Sequence, residues 1–534
     1  MKTALKILSA SAILASVAPL VSCTEGTNDD IITRSDITLA SDTLTPEALW
    51  AMGRIGSYAV SPDGTKVAYQ VTYYSVEEDR SNTLLYVQEI PASKTAPGDS
   101  VPPAHSLLGL GSSPVWLADD KLAFASKGEI WTMSASGKSR KQLTHTDGAV
   151  EGFLFSPDQK RVILIKSIPF HDIIQERPAD LPKSTGRVIT DLMYRHWDHY
   201  VESIPHPFVL DLESGEEFDI LEGQPFECPM EPFGGIEQLA WSPDSKSIAY
   251  TCRTKTGLAY SISTDSDIFL FDVETREAKN LCKPVGYVEP QIEPSKTMKF
   301  QEVNAEANLA NTPGYDQNPS FSPDGRYIAW LSMARNGYEA DRQRLCVLDL
   351  QSGEKRYITE SFDSNVDDFV WAADSRTIYF IGVWHATVNL YRTNLEGQVT
   401  QLTNDQADWG ALQLVNSLSD DKSDCLLMER HDYFHPADLY LVTITTSSPA
   451  ESAPTSPTAS TTSSLSVGDG SAVATATPSS PSEATPTSPT ASTPSQLSVG
   501  DGSAVATATS STAITRLTAE NDHILSQLAP GSSE

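Results

Sequence analysis

Phe321-Ser322-Pro323-Asp324-Gly325-Arg326-Tyr327-Ile328-Ala329-Trp330 reads as a strand end, a tight polar turn and the start of a second strand. Proline presets φ at the first central position, Asp bonds the local backbone, and Gly takes the left-handed conformation that closes a hairpin. The aromatic and β-branched residues that follow suit a pleated, half-buried strand. Close copies stand at Ser61-Pro62-Asp63-Gly64, Phe155-Ser156-Pro157-Asp158 and Trp241-Ser242-Pro243-Asp244, and a worn one at Trp371-Ala372-Ala373-Asp374. Trp116-Leu117-Ala118-Asp119 and Leu418-Ser419-Asp420-Asp421 are weaker copies, which brings the number to seven.

Each copy is followed downstream by an apolar strand and a polar turn. Examples are Leu85-Tyr86-Val87, Ile130-Trp131-Thr132, Phe208-Val209-Leu210-Asp211, Ile268-Phe269-Leu270-Phe271-Asp272, Leu345-Cys346-Val347-Leu348-Asp349, Leu390-Tyr391-Arg392 and Leu439-Tyr440-Leu441-Val442. Two hairpins per repeat make one four-stranded unit, and repeats of roughly 40 to 50 residues are those of propeller blades. The expected fold is all-β, a seven-bladed β-propeller of four-stranded antiparallel blades. A sandwich of unrelated hairpins would need the two signatures to alternate by accident.

The chain of 534 residues carries a formal charge of -32, which argues against nucleic acid or anionic lipid headgroups as partners. Residues 1–23 read as an export signal, with Lys2 and Lys6 ahead of an apolar stretch from Ile7 to Val21. The stretch ends in Leu20-Val21-Ser22-Cys23, which resembles the bacterial lipobox, so Cys23 is the expected lipidation site and membrane anchor. A simple cleavable signal with a coincidental Cys is the plainer alternative. The expected location is the bacterial cell envelope, periplasmic or outer-membrane. Residues 24–44 are polar and read as a flexible tether. Of the six cysteines, five lie beyond Cys23. An odd number forms no complete intrachain framework, so they read as small buried hydrophobes, with a Cys252–Cys282 pair as the alternative.

Residues 447–512 are almost all Ser, Thr, Ala and Pro and contain a duplicated block, Leu-Ser-Val-Gly-Asp-Gly-Ser-Ala-Val. Such a composition buries too little apolar surface to offset its ordering entropy, so a disordered insertion is expected. Strand-like segments on either side, Leu439-Tyr440-Leu441-Val442 and Ile514-Thr515-Arg516-Leu517-Thr518, place it in a hairpin turn of the last blade. The propeller thus spans 45–446 and 513–528; a linker between two domains is the alternative.

No Gly-x-Ser-x-Gly elbow for a nucleophilic serine occurs anywhere in the chain. The close histidine pairs, His196 with His199 and His431 with His435, lack the Glu of a zincin motif, and neither a metal nor a cofactor is expected. Two repeats are over-long, between Ile168 and Tyr200 and between Lys283 and Tyr315, and propeller insertions emerge where binding usually happens. The first holds the densest run of aromatic and ionisable side chains, Asp191 to Tyr200. Aromatic faces beside charges suit a peptide and its free amine, which makes Tyr194, Trp197 and Asp198 candidate peptide-binding residues. Glu237, ahead of the turn at Ser242, joins them as a residue near a central channel. An insertion anchored by its aromatics, and a polar strand end at Glu237, are the structural alternatives.

Leu44-Thr45-Pro46-Glu47-Ala48-Leu49-Trp50, the stretch Thr185 to Asp198 and Gly337-Tyr338-Glu339 resemble the prolyl oligopeptidase family, closest to its dipeptidyl peptidase 5-like and acylaminoacyl-peptidase-like members. The resemblance covers about residues 44–446 and 513–528. It implies a propeller that gates access to an α/β-hydrolase domain carrying a Ser-Asp-His triad and that helps hold the amino-terminal end of an oligopeptide. Such a domain needs roughly 230 to 260 residues, far more than follow Asn521, so no triad residue carries over and the chain is expected to be the non-catalytic portion, inactive alone. A hydrolase domain or subunit would then be its partner. The alternative is an autonomous TolB-like propeller lipoprotein that binds a peptide or protein in the envelope.

Overall fold

The computed structural model describes residues 31–91, 105–170, 174–175, 180–197, 199–288, 309–415, 418–419, 423–446 and 510–529. Each Ser-Pro-Asp turn joins the first two strands of a sheet. The first sheet contains β1 (Arg54–Val60), β2 (Lys66–Ser75), β3 (Arg80–Glu89) and β4 (His105–Leu110), and the second β5 (Ser112–Leu117), β6 (Lys121–Ser126), β7 (Glu129–Ser134) and β8 (Lys141–Gln142). The third has β9 (Gly152–Phe155) and β10 (Arg161–Pro169), then a small side pair, β11 (Ile174–Gln175) and β12 (Val188–Ile189), before β13 (Ser203–Asp211) and β14 (Glu217–Asp219). The fourth comprises β15 (Leu239–Trp241), β16 (Ser247–Cys252), β17 (Asp267–Asp272) and β18 (Glu277–Asn280). The fifth comprises β19 (Asp316–Phe321), β20 (Tyr327–Ser332), β21 (Arg344–Asp349) and β22 (Lys355–Tyr357).

The last sheet has eight strands. Its first half is β23 (Val366–Trp371), β24 (Thr377–Trp384), β25 (Thr387–Asn394) and β26 (Thr400–Gln401). Its second is β27 (Asp408–Leu414), β28 (Ser423–His431), β29 (Asp438–Thr446) and β30 (Ser510–Arg516). A single parallel pair, Val388 with Asp408, joins the halves; β23–β24, β24–β25, β25–β26, β27–β28 and β28–β29 are antiparallel. Among the described residues no sheet closes on itself.

The turns follow the expected chemistry and add a detail to it. In four copies the Ser hydroxyl donates to the Asp carboxylate, at 2.6 Å for Ser61–Asp63, 2.7 Å for Ser156–Asp158 and Ser242–Asp244, and 2.6 Å for Ser322–Asp324. The same hydroxyl accepts the N–H five residues on, and the Asp accepts the N–H two residues on. The fourth position is left-handed whether it is Gly64 (φ 70°) or Gly325 (φ 70°), or Gln159 (57°), Ser245 (61°) or Ser375 (58°). The non-glycine residues have a reason to be there. The Ser245 hydroxyl accepts Asp158 N–H at 3.1 Å, Ser375 accepts Asp324 N–H at 3.0 Å, and Gln159 accepts Ala118 N–H at 2.9 Å, each tying a turn to the sheet before it. The indoles that precede the turns do the same: Trp116, Trp241 and Trp371 donate to the carbonyls of Ala59, Leu154 and Ser320 at 2.9, 3.1 and 3.2 Å.

Consecutive sheets share apolar cores because their second and third strands are buried on both faces. Along β16, Ile248, Tyr250 and Cys252 pack towards the third sheet with Ile163 and Val209, while Ala249 packs towards Ile328 and Cys346 of the fifth. The two halves of the last sheet share Tyr379, Leu390, Leu426 and Val442, and Leu427 and Leu439 of its second half pack with Val67 and Leu84 of the first sheet.

Residues 31–44 depart from the tether read into their polar composition. Ile37 and Leu39 pack with Ala48, Met52 and Ile524, and the Gln527 side chain bonds Leu39 N–H and the Ile37 carbonyl. A few spaced apolar residues and backbone hydrogen bonds to the C-terminal helix, Asp522–Leu525, suffice to dock the segment. β30 starts at Ser510, three residues inside the 447–512 stretch assigned by composition to the insertion. The remainder of that stretch, together with the export signal and Cys23, lies outside the described residues. All five cysteines beyond Cys23 are buried and none is in a disulfide among the described residues, and Cys282 Sγ accepts Ile268 N–H at 3.2 Å.

Candidate functional site

The connectors that follow the second strands of the third, fourth and fifth sheets lie at the end opposite the turns. They converge on a cavity of about 550 Å³. Trp197, Glu237, Arg253, Tyr315 and Glu339 are among the residues that line it. A bulge in β19 between Gln317 and Ser320, with Asn318 at φ 56°, brings Asn318 into the wall. Glu237 sits on a short 3-10 turn, Ile236–Gln238, held by its own carboxylate accepting Gly235 N–H at 2.8 Å. It also borders a smaller cavity of about 280 Å³ with Asp367 and Asp368 from β23. Burial pushes the Asp368 carboxyl up to about 6.

Trp197 is 75% exposed and packs edge-on against Phe233, itself 73% exposed, with ring centroids 4.7 Å apart. Exposed aromatic pairs at a cavity mouth are contact surface for a ligand rather than core. Of the sequence candidates, Trp197 and Glu237 come together here. Tyr194 does not: its ring packs against Tyr200 at 6.4 Å and its carbonyl accepts Val201 N–H, so it braces the connector. Asp198 lies outside the described residues.

Below the cavity is a buried polar group that sequence reading missed. Glu227, 1% exposed, accepts from the Tyr260 hydroxyl at 2.7 Å and pairs with His196 Nε2 at 2.8 Å. Burial opposes charge on His196, but the Glu227 hydrogen bond and carboxylate prevail and hold its pKa above the ordinary 6.5. Burial and the Glu227 charge push the neighbouring Glu231 carboxyl up. Arg253, directly after β16, lies with its guanidinium carbon 4.4 Å from the Tyr260 ring centroid. No spacing rule joins Glu227, which precedes Cys228, to a histidine and a tyrosine on other connectors, so nothing local could have found the group.

A second charged group lies under the fourth and fifth sheets. Asp267, Cys282 and Asp316 stand within ligand distance of one another, the one such group among the described residues. Lys283 Nζ stands 2.7 Å from Asp265 and 3.0 Å from Asp267 and supplies the counter-charge. Burial pushes Asp316 up to about 7.

No family profile matches the chain. It is 37% identical over 421 residues to dipeptidyl-peptidase 5 of Porphyromonas gingivalis, covering 77% of this chain and 56% of that protein. It is 35% identical over 415 residues to dipeptidyl-peptidase 5 of Porphyromonas endodontalis, covering 76% and 54%. Among solved structures, the Pyrococcus horikoshii acylaminoacyl peptidase aligns at 16% identity with a TM-score of 0.49, covering 74% of this chain and 52% of that one. The chain thus spans about half the length of the curated relatives it matches. By sequence it is a relative of the dipeptidyl-peptidase 5 proteins of the prolyl oligopeptidase family.

Proposed function

We propose that this chain is a seven-bladed propeller that receives the amino-terminal end of oligopeptides and gates their access to a dipeptidyl-peptidase-like activity, without itself carrying the catalytic groups. The seven turn copies and the shared cores, which run from sheet to sheet and return from the last to the first, support the ring. The observation that carries the functional reading is the cavity, where exposed aromatics stand beside carboxylates in a relative of dipeptidyl-peptidase 5. Glu231, Glu237 and Glu339 make no ion pair among the described residues, which leaves their charge for a cationic ligand group. A peptide ammonium meets these carboxylates and the face of Trp197, while the chain behind it lies on Phe233.

Calorimetric titration of the purified chain with a free-amine pentapeptide and its N-acetyl form tests this reading. The free amine should bind at least tenfold more tightly, and Glu237→Gln should narrow the gap; equal affinities would refute it. The purified chain should release no dipeptide from a chromogenic dipeptidyl substrate, and turnover blocked by a serine-directed inhibitor would overturn the non-catalytic assignment. The leader ending at Cys23 fits a lipid-anchored envelope protein, so palmitate labelling should be lost in Cys23→Ala and persist in the parent.

A further inference from the structure

Among the described residues two arginines are buried, Arg344 and Arg253, and of these Arg344 has an ion pair. Arg344, 7% exposed, meets Glu360 at 2.8 Å. Arg335 is held by Asp341, Arg430 by Asp405 and Asp432, and Arg516 by Asp438 and Asp522. Arg253 is equally buried at 7% and makes no ion pair among the described residues. Its Nη1 donates one long hydrogen bond, 3.3 Å, to the Tyr260 carbonyl, and its Nε has no partner. The nearby carboxylate of Glu227 is taken up at both oxygens, by His196 and Tyr260.

A desolvated guanidinium with an unused donor is unfavourable unless something else supplies the acceptor. Arg253 lines the cavity, so the acceptor can come from a ligand there. We infer that Arg253 anchors a carboxylate, and that the cavity takes short peptides with both termini free, above all dipeptides. The planar fork of an arginine matches a carboxylate through two parallel hydrogen bonds, and the negative charge compensates the buried cation as a neutral amide oxygen does not. The unpaired carboxylates of Glu231, Glu237 and Glu339 line the same cavity and complement the ammonium end. About 550 Å³ falls within the ~300–1,000 Å³ of small-molecule sites. The inference rests on the reading above only in placing a peptidic ligand here. It adds that the released dipeptide competes for the site with the incoming chain.

The test is calorimetric titration of the full chain at neutral pH with an uncharged-side-chain dipeptide such as Ala-Phe, its C-terminal amide and its N-acetyl form. The free dipeptide should bind, and the amide at least tenfold more weakly. Arg253→Gln should bring acid and amide within twofold of each other, whereas Arg253→Lys should keep part of the difference. Equal binding of acid and amide by the parent chain refutes the inference, as does no binding of the dipeptide at millimolar concentration. The parent-chain comparison decides the matter even where Arg253→Gln does not fold. The two readings fail separately. A lost acid preference with the free-amine preference of the pentapeptide intact removes only the Arg253 anchor, and the reverse outcome removes only the amino-end site.

Discussion

At the four Ser-Pro-Asp turns, where the first strand of a sheet turns into the second, the Ser and Asp side chains find partners within five residues, as when Ser322 bonds Asp324 and Tyr327. At the opposite end, partners come from far along the chain: His196 and Tyr260 reach Glu227 across 31 and 33 residues. The turn end repeats because one local solution serves four of the sheets and needs only the neighbouring turn to complete it. The connector end differs from sheet to sheet and accumulates buried charge, exposed aromatic rings and an unpaired guanidinium. Uniform, self-satisfied structure holds the sheets together; irregular structure left with unmet polar groups is where a ligand fits.

The sharpest way to break this contrast is at Glu227. Glu227→Leu removes the partner of His196 Nε2 and leaves the Tyr260 hydroxyl only its long 3.4 Å bond to the Glu231 carbonyl, and should lower unfolding stability by about 3–5 kcal/mol, read as a fall in the urea midpoint at unchanged slope. At the turn end the same measurement should respond less. Trp241→Phe keeps the aromatic packing but loses the bond to the Leu154 carbonyl, for about 1–2 kcal/mol. Ser375→Ala removes the acceptor for Asp324 N–H, for about 1 kcal/mol, while the left-handed backbone is as strained in Ala as in Ser. A turn substitution that costs more than Glu227→Leu would reverse the ranking.

The smallest effect is in pH dependence. The pKa of His196 is raised in the folded chain, so its contribution to stability is present in full below 6.5 and fades as pH rises through the higher folded value. The stability difference between the parent and His196→Gln should therefore shrink on going from pH 6 towards pH 9. A difference that grows over that range would show that His196 is held neutral in the fold.

What could be read in the sequence divides along the same line. The four-strand units and the turn hydrogen bonds were legible because each is fixed by residues a few places apart, such as Ser61, Asp63 and Gly64. The use of Ser245 and Ser375 as ties to the preceding sheet was not, since a polar residue at a left-handed position looks like a poor substitute for Gly until its neighbour is in view. Trp197 stands out by the composition of an insertion and Glu237 by its place ahead of the Ser242 turn, and both line the cavity. Glu227 and Arg253 carry no local signal, because their roles come from burial and from partners on other connectors. Residues 31–44 misled for the opposite reason: their polar composition hid Ile37 and Leu39, which dock on the C-terminal helix.

Hydrogen–deuterium exchange of the purified chain with and without a saturating free-amine oligopeptide tests the division most directly. Protection is predicted around Trp197, Arg253 and Glu339, with the turns at Ser61, Ser156, Ser242 and Ser322 unchanged. Protection centred on those turns, with none around the cavity, would contradict the account.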